Sequence, residues 1–544
     1  MWSNYFHTLR YLRPGQIVGR ITHRLQRPTP DLRPAPDRAR LIDSWREPCS
    51  RPESLFADHT ARFLNVQRRI ETPHGWNDPA IEKLWLYNLH YFEGLLAPGN
   101  AEQANSRTEW VKQWIKDNPP GKGNGWEPYP LSLRITNWIK WILNGAQPTQ
   151  EILHSLAVQT RYLTQRLEHH LLGNHLFENA KALIAAGRFF AGDEAARWYD
   201  LGQRIMQAQL KEQLLDDGGH YERSPMYHAL LLEGLLDLHN LHLTTTGDST
   251  SPWARHAARM LDWLRRLCHP DGGIAFFNDA AFGIAPTLAQ LNAYAERLCL
   301  SHPTAPSDGT DWLGHAGYAR LERPSVVVIA DVAPIGPDYM PGHAHADSLS
   351  FECSIAGQRV LVNGGTSTYA SGAERQRQRS TAAHNTVCID KQDSSEVWGG
   401  FRVARRARTH IQRFDVGPET HLEGWHDGYR RLRGKPVHRR RWSLGADMLV
   451  ISDEVQTRRR CRIEAHYHFH PSVTLRAQTD RSFEVLDEHG KKICVIEIDG
   501  PLVWQIIQET WHPGFGISIP STGLCGIADE TDSMRWLTHI RWKN

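Results

Sequence analysis

The chain lacks any apolar run of transmembrane length, and it has little cysteine. Its 544 residues include eight cysteines, which are scattered and form no CxxC pair. This spacing is typical neither of a zinc cluster nor of a disulfide framework. Residues 1–27 have no signal-peptide pattern either, because arginine or histidine interrupts every apolar stretch. We therefore expect a soluble, cytoplasmic protein whose cysteines are reduced.

The overall composition is that of a globular protein with many aromatic side chains. Hydrophobic residues make up 40% of the chain and charged residues 23%, which argues against disorder and against a fibrous protein. There are twenty tryptophans and fifteen tyrosines, whose rings suit large cores or surfaces that stack against sugars. A chain of this length predicts two or three domains.

Arginine is concentrated in two segments, although the net charge is only +3. Residues 1–40 carry eight arginines against two acidic residues, and residues 402–441 carry eleven. Arginine clusters bind phosphates, carboxylates or sulfates through bidentate contacts, so a polyanionic partner is favoured, and a solvated basic face is the alternative for each cluster. No nucleic-acid-binding motif accompanies the charge. An alternative for residues 5–27 is a basic amphipathic helix that lies on an anionic membrane.

Hydrophobic periodicity divides the chain into three parts. Residues 1–60 are a basic segment followed by a proline-rich connector. Residues 61–305 show helical spacing, which predicts an array of helices. Residues 306–544 show short alternating runs without intervening helices, which predicts an antiparallel β-sandwich. We expect a cleft between the helical and the β domain.

The segment 340–352 places His343, His345 and Asp347 two residues apart, just before an apolar run. In a strand these side chains share one face, so the pattern predicts a reactive group at a sheet edge. A solvated loop with incidental histidines is the alternative.

Two segments of the helical part also combine polar groups. Asn174, His175 and Glu178 are spaced to be neighbours on a helix, although a capping asparagine beside a surface histidine would look the same. Pro225 suits the first turn of the next such helix, so Tyr227 and His228 are expected at a helix start that faces an opening. A tyrosine packed in the core is the alternative there.

The β part contains a candidate metal site. His345 and His384, with an oxygen ligand between them, have the residue types of a Zn²⁺ or Mn²⁺ site. Histidine spacing of this kind is a weak signal by itself.

Taken together, four motifs resemble the heparinase II/III-like polysaccharide lyases, a group that acts on heparin, other glycosaminoglycans or alginate. The motifs are GNHLFENAKAL, ERSPMYH, GHAHADSLSFE and AAHNTV. The resemblance implies an incomplete (α/α) toroid followed by an antiparallel β-sandwich, with the substrate between them. It also implies export to the periplasm or beyond, because such enzymes digest external polymers.

The resemblance implies a role for each motif residue. Asn174 and His175 match the pair that binds the uronate carboxylate, and Tyr227 and His343 match the catalytic residues. His345 and His384 match metal-binding histidines, but Asn363 stands where many members have an aspartate ligand, and an amide is a poorer ligand than a carboxylate. The expected substrate contacts are Glu178, Arg134, Tyr369 and His228.

These residue types suit β-elimination of a uronate. The C5 proton is very weakly acidic while the neighbouring carboxylate is charged, so donors such as Asn174 and His175 must neutralise that group. A base then removes the proton and an acid protonates the departing O4. We expect Tyr227 to serve as base and acid for one sugar epimer and His343 to serve as base for the other.

Two alternatives remain open. A glycoside hydrolase on an α/α scaffold needs two carboxylates beside the bond, and Asp216, Asp217, Glu222 and Asp279 are the candidates. A non-catalytic polysaccharide-binding or assembly protein would keep the fold with a degraded site. The candidate polymers include hyaluronan, chondroitin sulfate, heparan sulfate and alginate.

Overall fold

The computed structural model describes residues 2–300 and 309–542, and it is helical in its first half and β in its second. The predicted boundary between these halves, at residue 305, lies outside the described residues. No helix in the described ranges is both long and apolar enough to cross a bilayer. All eight cysteines are unpaired, and all but Cys299 are buried.

The helices of the described residues are α1 (Trp2–Leu9), α2 (Pro14–Leu25), α3 (Lys83–Tyr91), α4 (Ala101–Asp117), α5 (Pro128–Leu143), α6 (Gln150–Thr164), α7 (Gly173–Phe189), α8 (Gly192–Gln213), α9 (Pro225–Thr246), α10 (Ala254–Arg266), α11 (Leu288–Arg297) and α12 (Ala373–Arg379).

The strands are β1 (Thr60–Phe63), β2 (Val66–Arg69), β3 (Asp311–Leu313), β4 (Tyr318–Arg323), β5 (Val326–Asp331), β6 (Phe351–Ile355), β7 (Gln358–Leu361), β8 (Val387–Ile389), β9 (Val397–Trp398), β10 (Arg402–Val403), β11 (Thr409–Asp415), β12 (Thr420–His426), β13 (Val437–Leu444), β14 (Met448–Gln456), β15 (Cys461–His468), β16 (Thr474–Ala477), β17 (Ser482–Leu486), β18 (Lys492–Asp499), β19 (Val503–Trp511), β20 (Ile519–Thr531) and β21 (Met534–Trp542).

The helical half has an inner and an outer layer. Helices α5, α7 and α9 are buried on nearly all faces, whereas α8 and α10 bury one face and expose the other. A helix that is buried all round belongs to the interior of a larger assembly of helices. This layering is the toroid that the sequence predicts.

The β half consists of antiparallel sheets that share one core. The larger sheets have the orders β11-β12-β13-β14-β21-β18-β17-β16, β19-β20-β15-β8 and β3-β4-β5-β6-β7. Apolar residues of all three sheets form one continuous buried cluster. The predicted order of helical toroid and antiparallel β domain is therefore confirmed.

The N-terminal segment differs from the single amphipathic helix of the sequence analysis. It forms two helices, α1 and α2, because Pro14 starts a new helix after the irregular residues 10–13. The connector then crosses the helical half, where the Ala39 amide donates a hydrogen bond to the Phe189 carbonyl. A hairpin of β1 and β2 precedes α3.

The segment around His343 is a loop, so the prediction of a strand there is wrong. Strand β6 begins only at Phe351, and Leu349 has a left-handed φ of 63° that interrupts extended pairing. Leu349 and Phe351 are nevertheless buried in the β core, as the alternation indicated. The two histidines are held by other contacts, described below.

Candidate active site

A cavity of about 300 Å³ lies between the inner helices and loops of the β half. Successive turns of α9 line it from Tyr227 to Asp237, a distance of about 15 Å at the rise of an α-helix. Polar side chains at one end and charged side chains at the other define two regions. We call them the polar end (Tyr129, Asn174, His175, Tyr227, His343, Tyr369) and the charged end (Arg51, Glu93, Lys140, Glu178, Lys181, Glu233, Asp237).

The start of α7 brings the polar groups together. Gly173 has a φ of 57°, and a Cβ there would collide with the side chain of Met340, so glycine allows the loop that carries His343 to approach α7. At the start of α9, the Ser224 hydroxyl caps the helix by accepting from the Tyr227 amide at 3.2 Å.

Asp279 holds the loop histidines in place. Its carboxylate accepts from His343 Nδ1 at 2.9 Å and from His345 Nε2 at 2.9 Å, and it forms a buried ion pair with Arg375. Burial alone would raise the pKa of Asp279, but Arg375 and the two histidines hold it well below its ordinary value. An ionised Asp279 fixes the proton of His343 on Nδ1, which leaves Nε2 free as a base.

The Tyr227 phenol lies beside this imidazole. The two rings stack with centroids 3.9 Å apart, and the Tyr227 hydroxyl is 3.0 Å from the Tyr369 hydroxyl. Burial, reinforced by Tyr369 and Asp279, raises the pKa of Tyr227 well above its ordinary value. The phenol is therefore protonated at rest and suits the role of a proton donor.

Glu222 faces the same imidazole from the other side. Its Oε2 is 3.8 Å from His343 Nε2, and the side chain is almost fully buried. Burial raises the pKa of Glu222. A carboxyl group of low acidity thus lies close to His343 Nε2, and a phenol ring stacks on the same imidazole.

A second histidine, His175, lines the cavity and is paired with a buried carboxylate. His175 Nδ1 is 3.1 Å from Glu168 Oε1, and its ring lies 4.4 Å from that of Tyr129. Burial disfavours the charged form, but Glu168 outweighs this effect and raises the pKa of His175. The neighbouring Asn174 donates toward the Tyr129 hydroxyl at 3.5 Å, so an amide and an imidazole whose charged form is favoured lie side by side.

The charged end consists of buried ion pairs. Lys140 contacts Asp237 at 2.7 Å, Arg51 contacts Glu233 at 2.5 Å, and Lys181 contacts Glu178 at 2.6 Å. On their far side, Lys140, Lys181 and Asp237 line a separate void of about 10 Å³. These side chains therefore form the wall at which the cavity ends.

Two of the three predicted metal ligands lie together, whereas the third makes other hydrogen bonds. His345 Nδ1 and His384 Nε2 are 3.1 Å apart, but the Asn363 side chain is engaged elsewhere, donating to the Phe276 carbonyl and accepting from the Asn385 amide. Burial lowers the pKa of His345 to about 4. Residues 2–300 and 309–542 contain no group of three or more His, Cys, Asp or Glu side chains that could hold a metal ion. The donor set does not fit a Zn²⁺ or Mn²⁺ site, and the metal stays a prediction.

Two predicted substrate contacts lie in the core instead. Arg134 is fully buried, bonds to Gln159 and two backbone carbonyls, and stacks on the Trp114 ring. His228 is also fully buried, and its ring is held by the Met260 carbonyl and stacks on Trp263. Neither side chain lines the cavity, so their positions argue against substrate contact.

Tyr369 and Glu178 do line the cavity, at the polar and the charged end respectively. The sequence reasoning missed Glu168 and Arg375, and it considered Asp279 and Glu222 only as hydrolase carboxylates. Asp279 is locked in its ion pair, and Asp216 is largely exposed outside the cavity. Neither Asp279 nor Asp216 is therefore placed as one of the two carboxyl groups that hydrolysis needs beside the bond.

Comparison with known families agrees with this geometry. Residues 97–299 match the model described as "Heparinase II/III N-terminus", and residues 305–536 match "Heparinase II/III-like, C-terminal". The chain belongs to the heparinase II/III-like family. The resemblance carried by the four motifs is thereby confirmed.

Two curated relatives of this chain have different kinds of name, one an FtsZ-localized protein and the other a lyase. The FtsZ-localized protein C of Caulobacter vibrioides is 28% identical over 386 residues, which are 68% of this chain and 63% of that protein. A heparin-sulfate lyase of Pedobacter heparinus is 24% identical over 324 residues, or 52% of this chain and 48% of that protein. The chain thus matches between about half and two thirds of the length of these relatives.

Solved structures show the same fold. A crystal structure of heparinase III superposes with a TM-score of 0.69 at 18% identity, covering 91% of this chain and 81% of that one. The heparan sulfate lyase HepC of Pedobacter heparinus superposes with a TM-score of 0.61 at 16% identity, covering 90% and 82%.

Proposed function

We propose that this chain is a polysaccharide lyase that cleaves uronate-containing polysaccharides by β-elimination. The observation that carries the proposal is the meeting of Tyr227, His343, Asn174 and His175 in one cavity. Curated relatives named as heparin-sulfate lyases support the same reaction.

Each group has a chemical task in this reaction. Asn174 and the cationic His175 bind the uronate carboxylate and stabilise the enolate-like intermediate. His343 Nε2 removes the C5 proton, the C4–O4 bond breaks with formation of a C4–C5 double bond, and the Tyr227 hydroxyl protonates O4. For a uronate of the opposite C5 configuration, Tyr227 would act as both base and acid only as the phenolate, a form that its raised pKa disfavours.

We further propose that the enzyme acts at the end of a polysaccharide chain. The ion pairs at the charged end support this, because they stand across one end of the cavity. The charged end contains four carboxylates and three cations, so hydroxyl and amino groups of a sugar suit it better than sulfates. We therefore propose release of small products from a chain end of a sparsely sulfated polymer.

The test is incubation with hyaluronan, chondroitin sulfate, heparan sulfate, heparin and alginate, while ultraviolet absorbance follows the new double bond. We expect absorbance to rise on at least one polymer, and small products to accumulate from the first minutes. The Tyr227→Phe variant should be inactive, whereas Tyr199→Phe, on α8 away from the cavity, should be unaffected. Chain shortening without absorbance would identify a hydrolase.

A non-catalytic assembly role is the second candidate, because FtsZ-localized protein C is also a relative. It predicts no absorbance on any polymer, together with binding of a polysaccharide that survives the Tyr227→Phe substitution.

A further inference from the structure

The two N-terminal helices turn their apolar faces to the solvent. On α1 these residues follow helical spacing, and Trp2 is 89% exposed; on α2 the face ends at Leu25, which is 76% exposed. We call this set the N-terminal apolar face. It consists of Trp2, Phe6, Leu9, Ile17, Val18, Ile21 and Leu25.

The opposite faces of both helices are attached to the protein by polar and close contacts. Gln16 is only 2% exposed, and its amide donates to the Tyr339 carbonyl at 3.2 Å. The Thr8 hydroxyl accepts from Trp398 Nε1 at 3.2 Å. This orientation is the reverse of what a helix on a water-facing surface adopts, because such a helix buries its apolar stripe. Exposed apolar faces of this kind mark interaction sites.

The charged residues of the N-terminal segment itself have one sign, although Arg13 pairs with Glu212 of α8. Residues 1–30 contain five arginines and no acidic residue. All five of these arginines are exposed. On α2, Arg20 and Arg24 fall within about one third of a turn of Ile17 and Ile21, so the guanidinium groups border the apolar face.

We propose that α1 and α2 dock this protein on the surface of an anionic lipid bilayer. An apolar face bordered by arginine matches the acyl boundary and the anionic headgroups together. A second copy of the chain is a poorer occupant, because it would place five arginines against five arginines.

The docking surface adjoins the mouth of the cavity. Phe401 lines the cavity, and the next residue, Arg402, lies over the ring of Tyr5 on α1. Tyr339, which holds Gln16, is close in sequence to His343. A bilayer that receives α1 and α2 therefore lies beside the entrance to the cavity.

The experiment is sedimentation of the full chain with vesicles of phosphatidylglycerol or of phosphatidylcholine. We expect binding to phosphatidylglycerol vesicles that weakens with salt, and weak binding to phosphatidylcholine. The double variant Arg20→Ser, Arg24→Ser should lower the partition coefficient about 25-fold, at about fivefold for each arginine. The variant Ile17→Ser, Ile21→Ser should lower it by at least tenfold.

The matched control is Val503→Ser, which changes an apolar residue that is 74% exposed in the β half, far from residue 30 in sequence. All variants should keep the thermal unfolding midpoint of the parent, because the changed side chains are exposed. Equal binding of parent and Ile17→Ser, Ile21→Ser would overturn the proposal, as would the absence of binding to both kinds of vesicle. Dimerisation that these substitutions abolish would show that a second copy covers the face.

Discussion

Replacing Asp279 by asparagine should destabilise the protein strongly. Asp279 and Arg375 are both fully buried, and their side chains form an ion pair that also binds His343 and His345. The asparagine is nearly isosteric but uncharged, so the guanidinium of Arg375 is left as an unpaired buried charge. Breaking one side of a buried pair costs about 3–5 kcal/mol, a large share of the ~5–15 kcal/mol that a typical fold has.

The ion pair also joins the two halves of the molecule. Asp279 follows α10 in the helical half, whereas Arg375 lies on α12 in the β half. We therefore expect urea unfolding of Asp279→Asn to begin at lower denaturant and to separate into two transitions, followed by circular dichroism and tryptophan fluorescence. The control is Asp532→Asn, whose pair with Arg460 is exposed on both sides and should cost at most about 1 kcal/mol.

The pH dependence provides an internal check. The folded pKa of Asp279 lies well below its unfolded value near 4, so its contribution to stability is present above about pH 4. It is lost as the pH falls through the folded pKa. The difference between parent and Asp279→Asn should thus be constant near neutral pH and shrink only in strong acid. A loss below about 1 kcal/mol at neutral pH would refute the role assigned to this ion pair.

Three further predictions concern the cavity. Tyr227→Phe and Tyr369→Phe remove the same hydrogen bond and should cost similar stability, about 1 kcal/mol, but only Tyr227→Phe should lower kcat, by about 10²–10⁴-fold; equal activity of the two variants would contradict this. Glu168→Gln should move the alkaline limb of the activity profile to lower pH, because Glu168 raises the pKa of His175, and an unchanged limb would contradict it. Dialysis against EDTA should leave the unfolding midpoint unchanged, and a drop would indicate a bound metal.

The fold class was predictable because it follows from hydrophobic periodicity within short segments of the chain. Helical spacing over residues 61–305 and alternation over residues 306–544 each repeat many times, so the class of each half emerges without knowledge of long-range contacts. The four motifs are also contiguous, which is why Tyr227 and His343 could be named. The exact domain boundaries stay predictions.

The supporting groups could not be predicted in the same way. Asp279 lies 64 residues from His343 and 96 residues from Arg375, and no periodicity links these positions. Only the tertiary fold shows that one carboxylate holds them both. Its sequence context, Asn278-Asp279-Ala280-Ala281 beside buried phenylalanines, is the one local hint that the aspartate is buried.

Arg134, in contrast, was assigned to the site from the sequence but lies in the core. From the sequence we expect Arg134 to contact substrate, and exposed guanidinium groups do bind carboxylates. In the structure, Arg134 instead satisfies backbone carbonyls at the centre of the helical half and packs on Trp114. A buried arginine and an exposed one have the same sequence pattern when the helix is apolar on nearly all sides.

The proposed catalytic groups and the proposed docking surface are held in place by different residues. His343 and Tyr227 are positioned by Asp279 and Ser224, and neither of these partners contacts α1 or α2 among the described interactions. A bilayer can alter the reaction only if it binds two conformations of the cavity with different affinity. The described buried contacts that hold His343 and Tyr227 do not involve α1 or α2, so they give no reason to expect such a difference. We therefore expect kcat of the proposed reaction to be the same with and without anionic vesicles, and a change of kcat on vesicle binding would contradict this separation.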